Sequence, residues 1–286
     1  EAYNVAIGHN AMTAETSGAQ HCTAVGYQAL LSQNGDVKNT AIGALAGDAI
    51  EGGSLNTYVG YLAGSASVDT DENTAIGNAA YAKGTGSGNT VVGALAGSSA
   101  NNAADALSGI NNTLVGSYAG FDLTTGPGNV LLGREAGANM TTGDYNIAIG
   151  WQAADGLVGD ADNNIVIGYG ALGGCTAATS SNIAIGTSAL THASYAAANI
   201  NLAIGKSAGA AIQGGTRNVL IGHEAGSTNV GAHELTAVGY HALKLATAGN
   251  NTAVGSYAAA QVGAGASNTA VGYGALYNAD SEESNN

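Results

Sequence analysis

The chain has 286 residues, of which 46 are glycine, one is proline (Pro127), 45% are hydrophobic and only 9% are charged. Twenty acidic residues against six basic ones give a formal net charge of -14 with no Lys/Arg cluster, which excludes binding nucleic acid through its phosphates. So low a charge content argues against a solvated disordered chain, glycine does not fall at every third position as in collagen, and no apolar run approaches the roughly 20 residues of a membrane span.

A phrase of the form Asn-x-Ala-Ile/Val-Gly-x-x-Ala recurs along the whole chain. Aligned on its glycine it has sixteen copies, at Gly8, Gly26, Gly43, Gly60, Gly77, Gly93, Gly116, Gly133, Gly150, Gly168, Gly186, Gly205, Gly222, Gly239, Gly255 and Gly272, mostly 17 residues apart. Such a period predicts a stacked repeat. The expected fold is therefore all-β: a single parallel β-solenoid over residues 1–286, with about sixteen 17-residue rungs and no anchor, stalk or cap. At strand spacing it would be a rod about 75 Å long. Glu1 falls almost inside the first copy, and no signal peptide opens the chain, as expected for a processed product or a piece of something longer.

The first copy, Asn4-Val5-Ala6-Ile7-Gly8, sets out the columns. Ile, Val or Leu always precedes the glycine, which predicts a hydrophobic core seam through Ile7, Ile42, Ile76, Ile149, Ile167, Ile185, Ile204 and Ile221. One place earlier every residue is again apolar, and most are alanine: Ala6, Ala24, Ala41, Ala75, Ala148, Ala184, Ala203, Ala237, Ala253 and Ala270. Neighbouring strand residues point to opposite faces, so both faces are apolar and the second needs a partner. The alanine column is accordingly the expected contact between chains, since such a stripe left bare would exceed the few hundred Å² tolerated on a monomer.

The second copy puts Cys22 where most carry Asn, a residue expected either to set a turn or to stack as a ladder. Between Asn and Ala stands Thr or an aliphatic residue, aliphatic throughout from Val130 to Val219. The glycine is expected to bend the chain between two short strands, with a close-packed alanine three residues later. Loops such as Lys83 to Gly88 follow, and the longest insertion, Ser98 to Ile110, should bulge from one side. Cys22 and Cys175 lie eight rungs apart, roughly 38 Å, so no disulfide is expected between them.

No motif carries enzyme chemistry. Gly205-Lys206-Ser207 resembles the end of a phosphate loop, but the glycine that motif needs is replaced by Ile200. His223-Glu224 and His233-Glu234 lack a second histidine at metalloprotease spacing, and His9, His21, His192 and His241 add no metal-ligand spacing. A symmetric oligomer could still bring three copies of one histidine onto an axis. Asp69-x-Asp71-Glu72 and Asp160-x-Asp162 read as solvated loops rather than calcium sites. No cofactor and no metal ligand is expected. The free position after the glycine carries Tyr27, Tyr61, Trp151, Tyr169, Tyr240 and Tyr273, a candidate row of multivalent binding contacts.

Asn73-Thr74-Ala75-Ile76-Gly77-Asn78-Ala79-Ala80 resembles the head repeat of trimeric autotransporter adhesins of the YadA type. Asn268 to Leu276 is similar to longer repeats of phage tail fibres and bacterial surface proteins. The resemblance implies a left-handed parallel β-roll, a homotrimer, extracellular display on a cell or virion, and attachment to a host receptor or glycan. The adhesins' membrane anchor, stalk and neck have no counterpart here, which tilts the expectation toward a phage fibre or an end-to-end filament. An ice- or mineral-binding face is a remote alternative, because the Thr column is interrupted and shares the parity of the expected core seam.

Overall fold

A computed structural model describes residues 3–14, 20–35, 38–99, 106–175, 178–192, 199–278 and 284–285. The fold is a β-solenoid of sixteen parallel three-residue strands, and no helix occurs among the described residues. It divides into two units, 1–145 and 146–286. The first holds β1 (Val5–Ile7), β2 (Thr23–Val25), β3 (Thr40–Ile42), β4 (Thr57–Val59), β5 (Thr74–Ile76), β6 (Thr90–Val92), β7 (Thr113–Val115) and β8 (Val130–Leu132). The second holds β9 (Ile147–Ile149), β10 (Ile165–Ile167), β11 (Ile183–Ile185), β12 (Leu202–Ile204), β13 (Val219–Ile221), β14 (Thr236–Val238), β15 (Thr252–Val254) and β16 (Thr269–Val271). Within each unit, consecutive strands pair in register, so Thr74 lies beside Thr57, Ala75 beside Tyr58 and Ile76 beside Val59.

Each turn has one strand, not the two expected around the glycine. The glycine takes φ near +140° (Gly77), and the residues two and four places later are left-handed, as in Ala79 and Tyr81. Two left-handed residues so close together turn the backbone sharply and leave no second strand. Gly77 is also fixed by crowding: a Cβ there would lie 2.6 Å from the Gly93 carbonyl oxygen of the next turn.

Inside and outside are reversed from the expected arrangement. The alanine column is the core: Ala24, Ala41, Ala75, Ala148, Ala184, Ala203, Ala237 and Ala253 are wholly buried within the single chain and Ala270 almost so, while Ala6 of the first turn is exposed. The wholly buried alanines are closed off from any contact between chains. The Ile column faces out instead, with Ile7, Ile42, Ile76 and Ile149 exposed and Ile167, Ile185, Ile204 and Ile221 half-buried.

The physical reason is width. The inner strand residues share the interior with the buried alanine that follows the glycine (Ala29, Ala80, Ala189) and, in several turns, with the residue after that alanine. The largest inner residues, such as Tyr58 and Leu220, sit where the residue after that alanine is glycine. A Cβ on Gly64 would come 2.6 Å from the Tyr58 ring and one on Gly47 2.9 Å; Gly226 and Gly209 stand in the same relation to Leu220, each 2.8 Å from it. Where the inner residue is Ala24, Ala75 or Ala184, the space is filled by Leu30, Tyr81 or Leu190. At these turns the two positions trade volume, as close packing requires.

The Asn column is also internal, and it performs both expected roles. Asn73 Oδ1 accepts the Asn89 N–H at 2.9 Å, while its Nδ2 donates to the Gly86 carbonyl at 3.0 Å. The Leu235 N–H likewise donates to Asn218 Oδ1, but Leu235 has no side-chain oxygen to accept from the next turn. Buried polar tips are satisfied likewise: Tyr81 Oη donates to Gly86 O at 2.7 Å and accepts from Asn89 Nδ2 at 3.1 Å. Burial pushes the Tyr81 hydroxyl's pKa well up, so it stays protonated. Both cysteines are buried, and they form no disulfide with each other. The insertion from Ser98 to Ile110 lies partly outside the described residues.

Candidate functional site

Two surfaces stand out on this scaffold. The first is the outer sheet face, made by the first and third residues of every strand, because alternate residues share a face. In the first unit β2 to β7 present Thr paired with Val or Ile, from Thr23/Val25 to Thr113/Val115. In the second, β9 to β13 present two aliphatics each, such as Ile165/Ile167 and Ile183/Ile185. Neither column contains a charged residue in any strand, on a chain of net charge -14. Ile76 keeps 40% of its surface exposed and Val254 39%, although each has strand neighbours on both sides.

The second surface is an edge formed by the residues immediately after the glycines. Tyr27, Tyr61, Trp151, Tyr169, Tyr240 and Tyr273 all lie exposed there. The stacking brings some of them together: Tyr27 lies flat on His9 with ring centroids 5.7 Å apart, and Trp151 tilts against Tyr169 at 5.1 Å. Near β14 to β16 the edge thickens. Tyr240 stacks on His223 at 5.2 Å, Tyr257 meets Tyr240 edge-on at 5.2 Å, and Tyr273 and Tyr277 both turn their edges to Tyr257. Tyr257, Tyr273, Gly274 and Tyr277 line an open hollow of about 390 Å³.

Beside that hollow lie His223, Glu224, His241 and Lys244. Lys244 Nζ is 2.5 Å from Glu224 Oε2, and His241 Nε2 is 3.1 Å from the same oxygen. The hydrogen bond from Lys244 holds the Glu224 pKa below its usual range. Burial, followed by the Lys244 charge, lowers that of His241. A reading by local spacing separates these residues. They meet because His223 and Glu224 are one and two places past Gly222 and His241 is two past Gly239, on adjoining turns. Tyr257 and Tyr277 escaped notice for the same reason.

The loop carboxylates are tied to neighbouring turns. Asp71 Oδ1 accepts from both the N–H and the Oγ of Ser54 at 2.8 Å, and Asp69 Oδ1 accepts the Gly52 N–H at 3.1 Å. The ion pair of Arg217 with Glu234, at 2.7 Å, also spans adjoining turns, but it is exposed and contributes little. Among the described residues no helix is long and apolar enough to cross a membrane.

Architecture and surface define a β-solenoid repeat protein. No known family model matches the sequence, and no curated protein does either.

Proposed function

We propose that this chain is a non-enzymatic structural protein, an extracellular attachment or fibre segment that associates laterally with copies of itself through its outer sheet face. The observation that carries this reading is the charge-free, partly exposed pair of columns at the first and third strand positions. A bare aliphatic array is costly in water, at roughly 25 cal/mol per Å². A surface with a fixed rung spacing fits best a partner with the same spacing, and another copy of the chain has it. The strong negative charge lies off this face, so it does not oppose the contact. The homotrimer of the resembling adhesins is the arrangement proposed, and the aromatic edge, pointing away from the inner columns, is the proposed contact with a receptor or glycan.

Sedimentation equilibrium tests the assembly. The expected mass is three times 27.6 kDa, falling to one when Ile183 and Ile185 are changed to Asp. A wild-type monomer would overturn the lateral reading, and long filaments in electron micrographs would point instead to end-to-end stacking.

A second reading is favoured by one observation. The Thr column faces outward with the Val/Ile column, so β2 to β7 carry a charge-free array of hydroxyl and methyl groups at strand spacing, the kind of surface that orders water. An ice-binding role follows from that face if it is free in the assembly. Thermal hysteresis abolished by Thr57→Lys and Thr74→Lys is its test, and hysteresis no larger than that of an inert protein would reject it.

A further inference from the structure

His223, Glu224 and His241 each offer one ligand atom, and these atoms all lie within 4.8 Å of one another. The backbone fixes the grouping, since the His241 N–H donates to the His223 carbonyl at 3.0 Å. Tyr240 holds the rings, lying flat on His223 and packing at 3.8 Å against His241. His223 Nδ1 and His241 Nε2 are both shielded from water and make no hydrogen bond, the latter despite lying 3.1 Å from Glu224 Oε2. A buried polar atom left without a hydrogen bond is costly, and two in one cluster call for an explanation.

We propose that His223, Glu224 and His241 form a binding site for a divalent transition-metal ion, with Zn²⁺ the best fit, joining adjoining turns of the second unit. Two imidazoles with one carboxylate suit Zn²⁺ and its neighbours, whereas Ca²⁺ and Mg²⁺ prefer all-oxygen shells. Bonds of about 2.0–2.2 Å require the three side chains to close in from their present spacing. Lys244 must release Glu224, so its ammonium competes with the metal. Three protein ligands leave a coordination position for water or an outside donor.

The test uses the untagged full-length chain, stripped with chelator and titrated with Zn²⁺ or Co²⁺ alone. Calorimetry and Co²⁺ absorbance should show one equivalent per chain. Affinity should fall at least tenfold in His223→Gln, His241→Gln and Glu224→Gln, stay unchanged in His192→Gln, and rise in Lys244→Met. A measurement on the wild type guards against misfolded variants: Zn²⁺ should protect His223 and His241, but not His192 or His233, from diethyl pyrocarbonate. Absence of saturable binding, equal binding by the His223→Gln/His241→Gln double variant, or protection spread evenly over all histidines would each overturn the site.

Discussion

Ala184 and Ile185 are neighbours in β11, yet the smaller is wholly enclosed and the larger looks outward. The inner face of the strand is selected by volume and the outer face by shape for a sheet surface. Inside, a methyl group or a bulkier side chain opposite glycines fills a fixed width; outside, branched chains such as Ile185 cover their strand neighbours and stay half-open. Apolarity alone does not separate two such faces. Their sensitivity to substitution should, because the inner face is enclosed and fixed in width while the outer face is open on one side.

Gly77→Ala should be the severest break of the inner path, since it places a methyl group 2.6 Å from the Gly93 carbonyl oxygen at a φ of +140°. A loss of about 4–5 kcal/mol or more, read by chemical denaturation, is expected. The volume rule gives the next test. Leu220→Ala should cost about 2–5 kcal/mol through the cavity it leaves. Gly226→Leu should cost about 1–3 kcal/mol by overpacking against Leu220. The double variant should be more stable than either single one, a coupling that independent sites would not show.

Asn73→Ala should cost about 1–3 kcal/mol, because it leaves the Asn89 N–H buried and unpaired. On the outer face, Ile185→Asp should cost the chain itself only about 1 kcal/mol while weakening assembly. Equal loss of stability from Ala184→Asp and Ile185→Asp would erase the distinction between the faces. The smallest effect is that of pH. The folded-state pKa of His241 lies below its unfolded value of 6.5, so the folded chain binds fewer protons as pH falls through that region. Stability present above pH 6.5 should decline slightly on acidification, and His241→Gln should flatten that part of the melting profile.

The period, the strand positions and the parallel stacking were legible in the sixteen glycines and the apolar residues before them. The Asn ladder was legible too, since an amide repeated at strand spacing has few other uses. What misled was treating bulk as the mark of a core: Ile76 looked like an inner residue and Ala75 like a contact. The correcting signal lies in the sequence, where Tyr58 and Leu220 coincide with glycine at Gly64 and Gly226 while Ala75 and Ala184 coincide with Tyr81 and Leu190. The grouping of His223, Glu224 and His241 was hidden by counting along the chain, when proximity in a solenoid runs from turn to turn.

The left-handed residues have a consequence for how such a molecule comes into being. Leu190, Glu135, Tyr118 and Ala79 hold a backbone conformation that costs L-residues roughly 1–2 kcal/mol each. A lone turn is therefore uphill, and it becomes favourable only when laid on a finished one, glycine against glycine and amide against amide. Growth from an existing edge resembles a crystal adding layers: the first layers are rare, the later ones quick. On this basis deleting one whole 17-residue period, from Gly60 to Ile76, should leave a shorter chain that still folds, whereas removing a few residues inside a turn should stop the layering at that point.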